Sequence, residues 1–335
     1  MRKDRRRRRF LLASGALIAA PLASFAQPAP KARRIGVLSP DSANSVLGQE
    51  LRKWFPDALR PLGYEEGKNL VIEWRWGEGK PDTLPALSEE LVRLNVELIV
   101  ARTNGPTAAA MRATRSVPIV MLSGAYPVEL GFIQSLARPG GNVTGTTYFS
   151  GGLPGKQLQI LKEIAPNLVR VAILWNANIP RDSGVGKVIA DSVERATTLL
   201  GMTPLFFEVS GPDEIKAVLD KISSSRIDAL YYLGDPIFRQ NVEEITAFAR
   251  KRKLASVGIA GLAFHGGLIE YSPDFGNLLA RTASYVDRIL KGAKPPDLPV
   301  EEPAKFNLVI NLKTAKALGL TIPQSVLIRA TEVIQ

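Results

Sequence analysis

The chain has 335 residues, with 43 lysines and arginines against 32 acids, one histidine and no cysteine. The lack of cysteine excludes disulfides, thiol catalysis and thiolate metal sites, and a single histidine, His265 in the turn Phe264-His265-Gly266-Gly267, argues against a histidine metal centre or a Ser-His-Asp triad. Of the formal +11, a net +6 sits in residues 1–26, so the remainder carries only +5 and has no basic run interleaved with aromatics, which speaks against a nucleic-acid partner.

The N-terminus reads as an export signal. Arg5 to Arg9 precede an apolar run from Phe10 to Ala26, and Ser24-Phe25-Ala26 offers the small-x-small exit that a signal peptidase cuts, after Ala26. Paired arginines just ahead of Phe10-Leu11 fit the twin-arginine route, with the general route as the alternative. At 17 residues, diluted by Ser14 and Gly15 and broken by Pro21, the run falls short of a membrane span, which needs about 20 clearly apolar residues. The expected location is the periplasm, with no cysteine to carry a lipid anchor.

Beyond it, short β-rich runs alternate with amphipathic stretches. Strands are predicted over 34–38, 69–76, 96–101, 117–122 and 142–147, with helices over 46–62, 84–94 and 106–114 between the first four. The rhythm restarts with helices over 153–164, 185–200, 212–222 and 236–252 and strands over 169–175, 203–209, 227–233, 255–259 and 268–271. A long helix over 274–291 is stopped by Pro295-Pro296, strand-like pieces follow at 298–301 and 306–311, and a helix over 312–318 stops at Gly319. Such alternation predicts parallel sheets with helices on both faces, arranged as two similar α/β lobes. Short crossings near Thr147 to Gly152 and Ser272 to Asp274 could serve as a hinge.

Ligands of open α/β sheets bind outside the carboxyl ends of the strands. In the first run these ends are Ser39-Pro40-Asp41-Ser42, Thr103-Asn104-Gly105 and Ser123-Gly124-Ala125-Tyr126, with Thr147 at the crossing. In the second they are Trp175-Asn176-Ala177-Asn178, Gly234-Asp235-Pro236 and Ala260-Gly261-Leu262. The residues are small, polar or aromatic and suit a cleft around one small polar ligand. Asp235, ahead of Pro236, reads equally as a helix N-cap or as a carboxylate facing the cleft. Trp175 and Phe238 read as core rings or as ligand-stacking rings, and Trp74 and Trp76 fall on one strand face, where packing is the default. Ser183-Gly184-Val185-Gly186-Lys187-Val188 lacks the spacing and hydroxyl of a phosphate loop, and no catalytic motif is present.

Three long stretches carry a resemblance: Leu62-Gly63-Tyr64-Glu65-Glu66-Gly67-Lys68-Asn69-Leu70, Ser135-Leu136-Ala137-Arg138-Pro139-Gly140-Gly141-Asn142-Val143-Thr144-Gly145, and Asn307-Leu308-Val309-Ile310-Asn311-Leu312-Lys313-Thr314-Ala315-Lys316-Ala317-Leu318-Gly319-Leu320. They resemble the ABC-transporter substrate-binding proteins of the tryptophan-binding-like group, which have the type I periplasmic binding fold. The resemblance implies two Rossmann-like lobes joined by a three-strand hinge, lobe I holding 33–147 and 274–293 and lobe II holding 148–273 and 294–335. It implies a monomeric solute-binding protein without cofactor that closes on a small ligand, an amino acid or related molecule, and delivers it to an inner-membrane ABC permease. On this reading the ligand bridges Ser39, Thr103 and Ser123 to Asn176 and Asp235. One departure concerns the ligand. Where relatives read Gly-Asp-Pro-Val, this chain reads Gly124-Ala125-Tyr126-Pro127-Val128, so an acid gives way to Tyr126. The alternatives are a sensor presenting its closed form to a membrane receptor and an exported enzyme on the same fold.

Overall fold

A computed structural model describes residues 32–149, 152–182, 184–259 and 261–335. The expected export signal, Ser183 and Ala260 lie outside the described residues.

The first half is a parallel sheet of five strands in the order β2-β1-β3-β4-β5. Its strands are β1 (Arg33–Ser39), β2 (Leu70–Trp76), β3 (Ile99–Arg102), β4 (Ile119–Ala125) and β5 (Val143–Phe149). Its helices are α1 (Val46–Leu59), α2 (Leu84–Arg93) and α3 (Asn104–Ala113). In α1, Ser45 accepts the Gly48 N–H and so satisfies one of the helix's open donors, while Leu51, Phe55 and Leu59 form the buried stripe. Each such fully buried side chain contributes about 1.5–3 kcal/mol. The predicted continuation to Leu62 is a separate tighter 3₁₀ turn, because Pro61 has no N–H to continue the ladder, and Gly63 at φ 90° closes it.

The second half is a sheet of seven strands in the order β12-β11-β10-β9-β8-β6-β7. Strands β6 (Arg170–Asn176), β7 (Thr203–Val209), β8 (Ala229–Tyr232), β9 (Ala255–Gly258) and β10 (Ile269–Pro273) are joined by further strands β11 (Phe306–Asn311) and β12 (Glu332–Ile334). The helices are α4 (Leu153–Ile164), α5 (Gly184–Leu199), α6 (Ile215–Ser223), α7 (Pro236–Gln240), α8 (Val242–Lys251), α9 (Phe275–Leu290), α10 (Leu312–Leu318) and α11 (Gln324–Leu327). Of these, α9 packs on the first sheet through Leu278, Leu279, Ala283 and Val286. The single helix predicted over 236–252 is split at Asn241, whose side-chain amide turns back to the Ile237 carbonyl at 2.8 Å.

The chain passes between the two sheets after β5, after β10 and before β11. The last two crossings explain the one antiparallel neighbour, β10 with β11. The chain leaves β10 toward α9 and returns from the same end, so β11 must run backwards. The sequence reading placed all of 294–335 with the second half, and the structure differs there. Leu298 and Val300 are buried among first-sheet residues, and Glu301 runs beside β5, donating its N–H to the Gly145 carbonyl at 3.0 Å and accepting the Thr147 N–H at 2.9 Å. Three apolar or β-favouring residues after two prolines do not reveal which sheet edge they join. The last fifteen residues, left unassigned from sequence, form α11 and the parallel edge strand β12.

Candidate functional site

The candidate site is built at the carboxyl ends of β1, β3, β4 and β5 in one half and of β6, β8 and β10 in the other. Several of these strands run one to three residues further than their sequence suggested, and among them β3 reaches Arg102 and β4 reaches Ala125. A register shift between Met121 and Gly124 bends β4 against β5. Gly145 opposes Met121 there at φ 122°, and a Cβ would fall 2.4 Å from the Met121 carbonyl oxygen, so no other residue fits without displacing the bend.

Backbone strain concentrates on the same ends. Thr103, Ser123 and Tyr126 all take positive φ, at 67°, 64° and 50°. Each costs on the order of 1–3 kcal/mol, and such residues persist where a site needs the side chain aimed against local preference. Thr103 stands ahead of α3, and its N–H is held by the Leu122 carbonyl at 2.9 Å. Asn104 accepts the Ala125 N–H at 2.7 Å, tying the start of α3 to the end of β4.

Ser39 is fully buried and donates to Asp41 at 2.8 Å. The same Asp41 carboxylate receives the guanidinium of Arg102, which is 8% exposed. Burial pulls the Arg102 cation below its ordinary range and Asp41 supports it, while the cation of Arg239, on α7 of the other half, opposes it. The Arg102 Nε is buried without a hydrogen-bond partner, as are Ser123 Oγ and Thr147 Oγ1 on the neighbouring strands. Gly124 is the register neighbour of Thr147. Tyr126, almost fully buried, has its hydroxyl pushed up to about 12 by burial and by Glu129, with the Arg195 cation of α5 acting the other way.

In the second half, Asp235 caps α7 through the Ile237 N–H at 2.9 Å and accepts the Asn176 amide at 2.8 Å. Asn176 in turn accepts the Asn178 N–H, and Asn178 donates to the Ser210 carbonyl, both at 2.9 Å. Between the halves stands Tyr148, its hydroxyl raised to about 12 chiefly by burial, in electrostatic contact with Arg239, Glu270 and Arg102 and hydrogen-bonded with Ser272. Glu270 is 5% exposed and accepts from the Gly261 N–H at 2.8 Å and the Ser272 hydroxyl at 3.3 Å. Burial raises its carboxyl above the ordinary glutamate range despite those bonds. Tyr232 is buried and its hydroxyl lacks a partner.

Of the residues picked from sequence, Ser39, Asp41, Thr103, Asn104, Ser123, Gly124, Tyr126 and Thr147 gather at one set of strand ends, and Asn176 and Asp235 at the other. Ser42 and Asn178 hold their own turns. The rings of Trp175 and Phe238 match the packing alternative rather than the stacking one: Trp175 is edge-on to Phe206 with its N–H on the Ile179 carbonyl at 2.8 Å, and Phe238 lies fully buried against Tyr232. Trp74 and Trp76 stack on each other, 5.5 Å apart. Sequence reasoning missed Arg102, Tyr148, Tyr232, Arg239 and Glu270. For Glu270 the available signal was a single acid inside an apolar strand; the other four carried none.

Two mostly parallel α/β sheets, three crossings and polar strand ends from both halves define the type I periplasmic binding class. Within that class, the chain belongs to the ABC transporter substrate binding protein family, whose model matches residues 28–334. It is similar to the tyrosine-binding protein of Clostridioides difficile (strain R20291), 25% identical over 270 residues, 80% of this chain and 76% of that one. It is also similar to an ABC domain from Streptococcus pneumonia solved in complex with L-Trp, 26% identical with a TM-score of 0.81 over 91% of this chain and 100% of that one. A conserved domain protein of Vibrio cholerae O1 biovar El Tor matches at the same 26% identity and TM-score of 0.81, over 90% of this chain and 100% of that one.

Proposed function

We propose that this protein captures one small organic ligand between two lobes, closes on it by bending at the three crossings, and delivers it to an ABC permease in the inner membrane. The observation that carries the reading is the set of buried polar atoms without partners at the strand ends, Arg102 Nε, Ser123 Oγ and Thr147 Oγ1 in one half and the Tyr232 hydroxyl in the other. Contacts made to both halves at once exist only when the lobes are together, so a bridging ligand shifts the population toward closure. Ligands of the relatives, L-Trp in one and tyrosine in the other, point to a molecule of aromatic amino-acid size. Ser39, Asp41, Thr103, Asn104, Ser123, Tyr126, Thr147, Asn176 and Asp235 are the residues we place around it.

The protein works in the periplasm as a monomer, exported by way of residues 1–26 and released by cleavage after Ala26. It binds rather than converts its ligand. No helix among the described residues is long and apolar enough to cross a membrane. Native mass spectrometry of the purified protein, with any carried compound released and identified, tests the reading. A single small molecule bound one-to-one and recovered unchanged supports it, and its recovery as a converted product would overturn it.

A further inference from the structure

Arg102 of one half is buried with its Nε unpartnered, and the cation of Arg239 of the other half acts on it electrostatically. Arg102 contributes one N–H to Asp41, and its buried Nε points to no acceptor. Arg239 forms no ion pair and no side-chain hydrogen bond among the described residues, yet lies close enough to Arg102 for the two cations to disfavour each other. An unshared arginine cation opposite a second, buried one is costly unless an anion enters between them.

The nearby carboxylates are already engaged. Asp41 holds Arg102 and the Ser39 hydroxyl. Asp235 divides its two oxygens between the Asn176 amide and the cap of α7. Glu270 is turned to the Gly261 N–H and to Ser272. Three further hydroxyls without partners, Ser123, Thr147 and Tyr232, line the same strand ends and can donate as well.

Resting on the function proposed above, we infer that the ligand's acidic group is the bridging element, clamped between Arg102 of one lobe and Arg239 of the other, and that a ligand ammonium is dispensable. The ligand class is therefore an organic carboxylate, of which an amino acid is one case and its des-amino analogue another. Guanidinium forks suit a carboxylate better than a hydroxyl, because two parallel N–H donors match its two oxygens. The clamp also makes closure depend on the acid: without it the two cations oppose the lobes coming together.

The test is calorimetric titration and thermal shift of the purified protein with matched triplets: L-tryptophan, indole-3-propionate and tryptamine; L-tyrosine, 3-(4-hydroxyphenyl)propionate and tyramine; L-leucine, 4-methylpentanoate and isoamylamine. In the triplet that binds, the des-amino acid should stay within roughly tenfold of the amino acid, while the amine should lose at least about a hundredfold. Arg239→Gln should weaken the carboxylates by at least about tenfold with no loss of melting temperature in the ligand-free protein, and Arg239→Lys should recover part of the lost affinity. An amine that binds as well as its acid, a des-amino acid that binds far worse than the amino acid, or an Arg239→Gln protein of full affinity overturns the clamp and leaves the proposed function standing. Silence toward all nine compounds, together with no carried molecule, overturns both.

Discussion

Asp235 holds Asn176 with one carboxylate oxygen, at 2.8 Å, and caps α7 with the other, at 2.9 Å. Asp235 therefore takes the cap role that the sequence allowed and gives its second oxygen to Asn176, and α7, which carries Arg239, is oriented by a residue at the end of a neighbouring strand.

Replacing that carboxylate should separate the two roles. Asp235→Ala should destabilise by about 1 kcal/mol from the lost cap, a shift of a few degrees in melting temperature, and should also lower ligand affinity by freeing Asn176 and tilting α7. Asp235→Ser should keep most of the stability and still lose affinity. Thermal unfolding read beside titration distinguishes the two effects.

Arg102 and Asp41 form a nearly buried ion pair. Removing one partner strands the other, so Arg102→Met or Asp41→Asn alone should cost about 3–5 kcal/mol. The double substitution should cost clearly less than the sum of the singles, as a double-mutant cycle by denaturant unfolding would reveal.

Glu270 gives a pH dependence with a definite sign. Burial is the largest cause of its raised folded pKa. The folded state therefore holds the proton more readily than the unfolded chain, and the stabilisation is complete below the ordinary glutamate range and lost as pH rises through the folded pKa. Glu270→Gln should remove that loss, so denaturation midpoints measured between about pH 4 and 8 should fall less steeply in the variant than in the wild type.

Phe238 should behave as core. Its ring is fully buried and edge-on to Tyr232. Phe238→Leu should lower stability modestly and leave ligand affinity within a few-fold, whereas Phe238→Ala should cost about 3–5 kcal/mol. A large affinity loss in a stable Phe238→Leu protein would return the ring to the ligand.

The strand ends were legible because parallel sheets place polar turns where apolar runs stop, so Ser39, Ser123, Asn176 and Asp235 could be read from the pattern alone. Arg102 was not, because the run Leu98-Ile99-Val100-Ala101 looks complete without it, and only pairing with β4 shows that the strand continues. Tyr148, Tyr232 and Glu270 sit inside β-rich runs, where a tyrosine or a single acid reads as packing until the opposing half is in place. For Trp175 and Phe238 the reverse holds: their chemistry allowed stacking on a ligand, and their packing against Phe206 and Tyr232, which no sequence pattern announces, decides for the core. The attachment of Leu298 to Glu301 beside β5 rests on a single stretch of edge pairing that no periodicity announces.

The central claim is that a single small molecule bridges the two halves. Small-angle X-ray scattering of the purified protein, recorded with and without the tightest-binding carboxylate of the matched triplets, tests it most directly. The account predicts a fall in the radius of gyration on binding in the wild type, and no such fall in Arg239→Gln at the same ligand concentration. Binding without any compaction would contradict it.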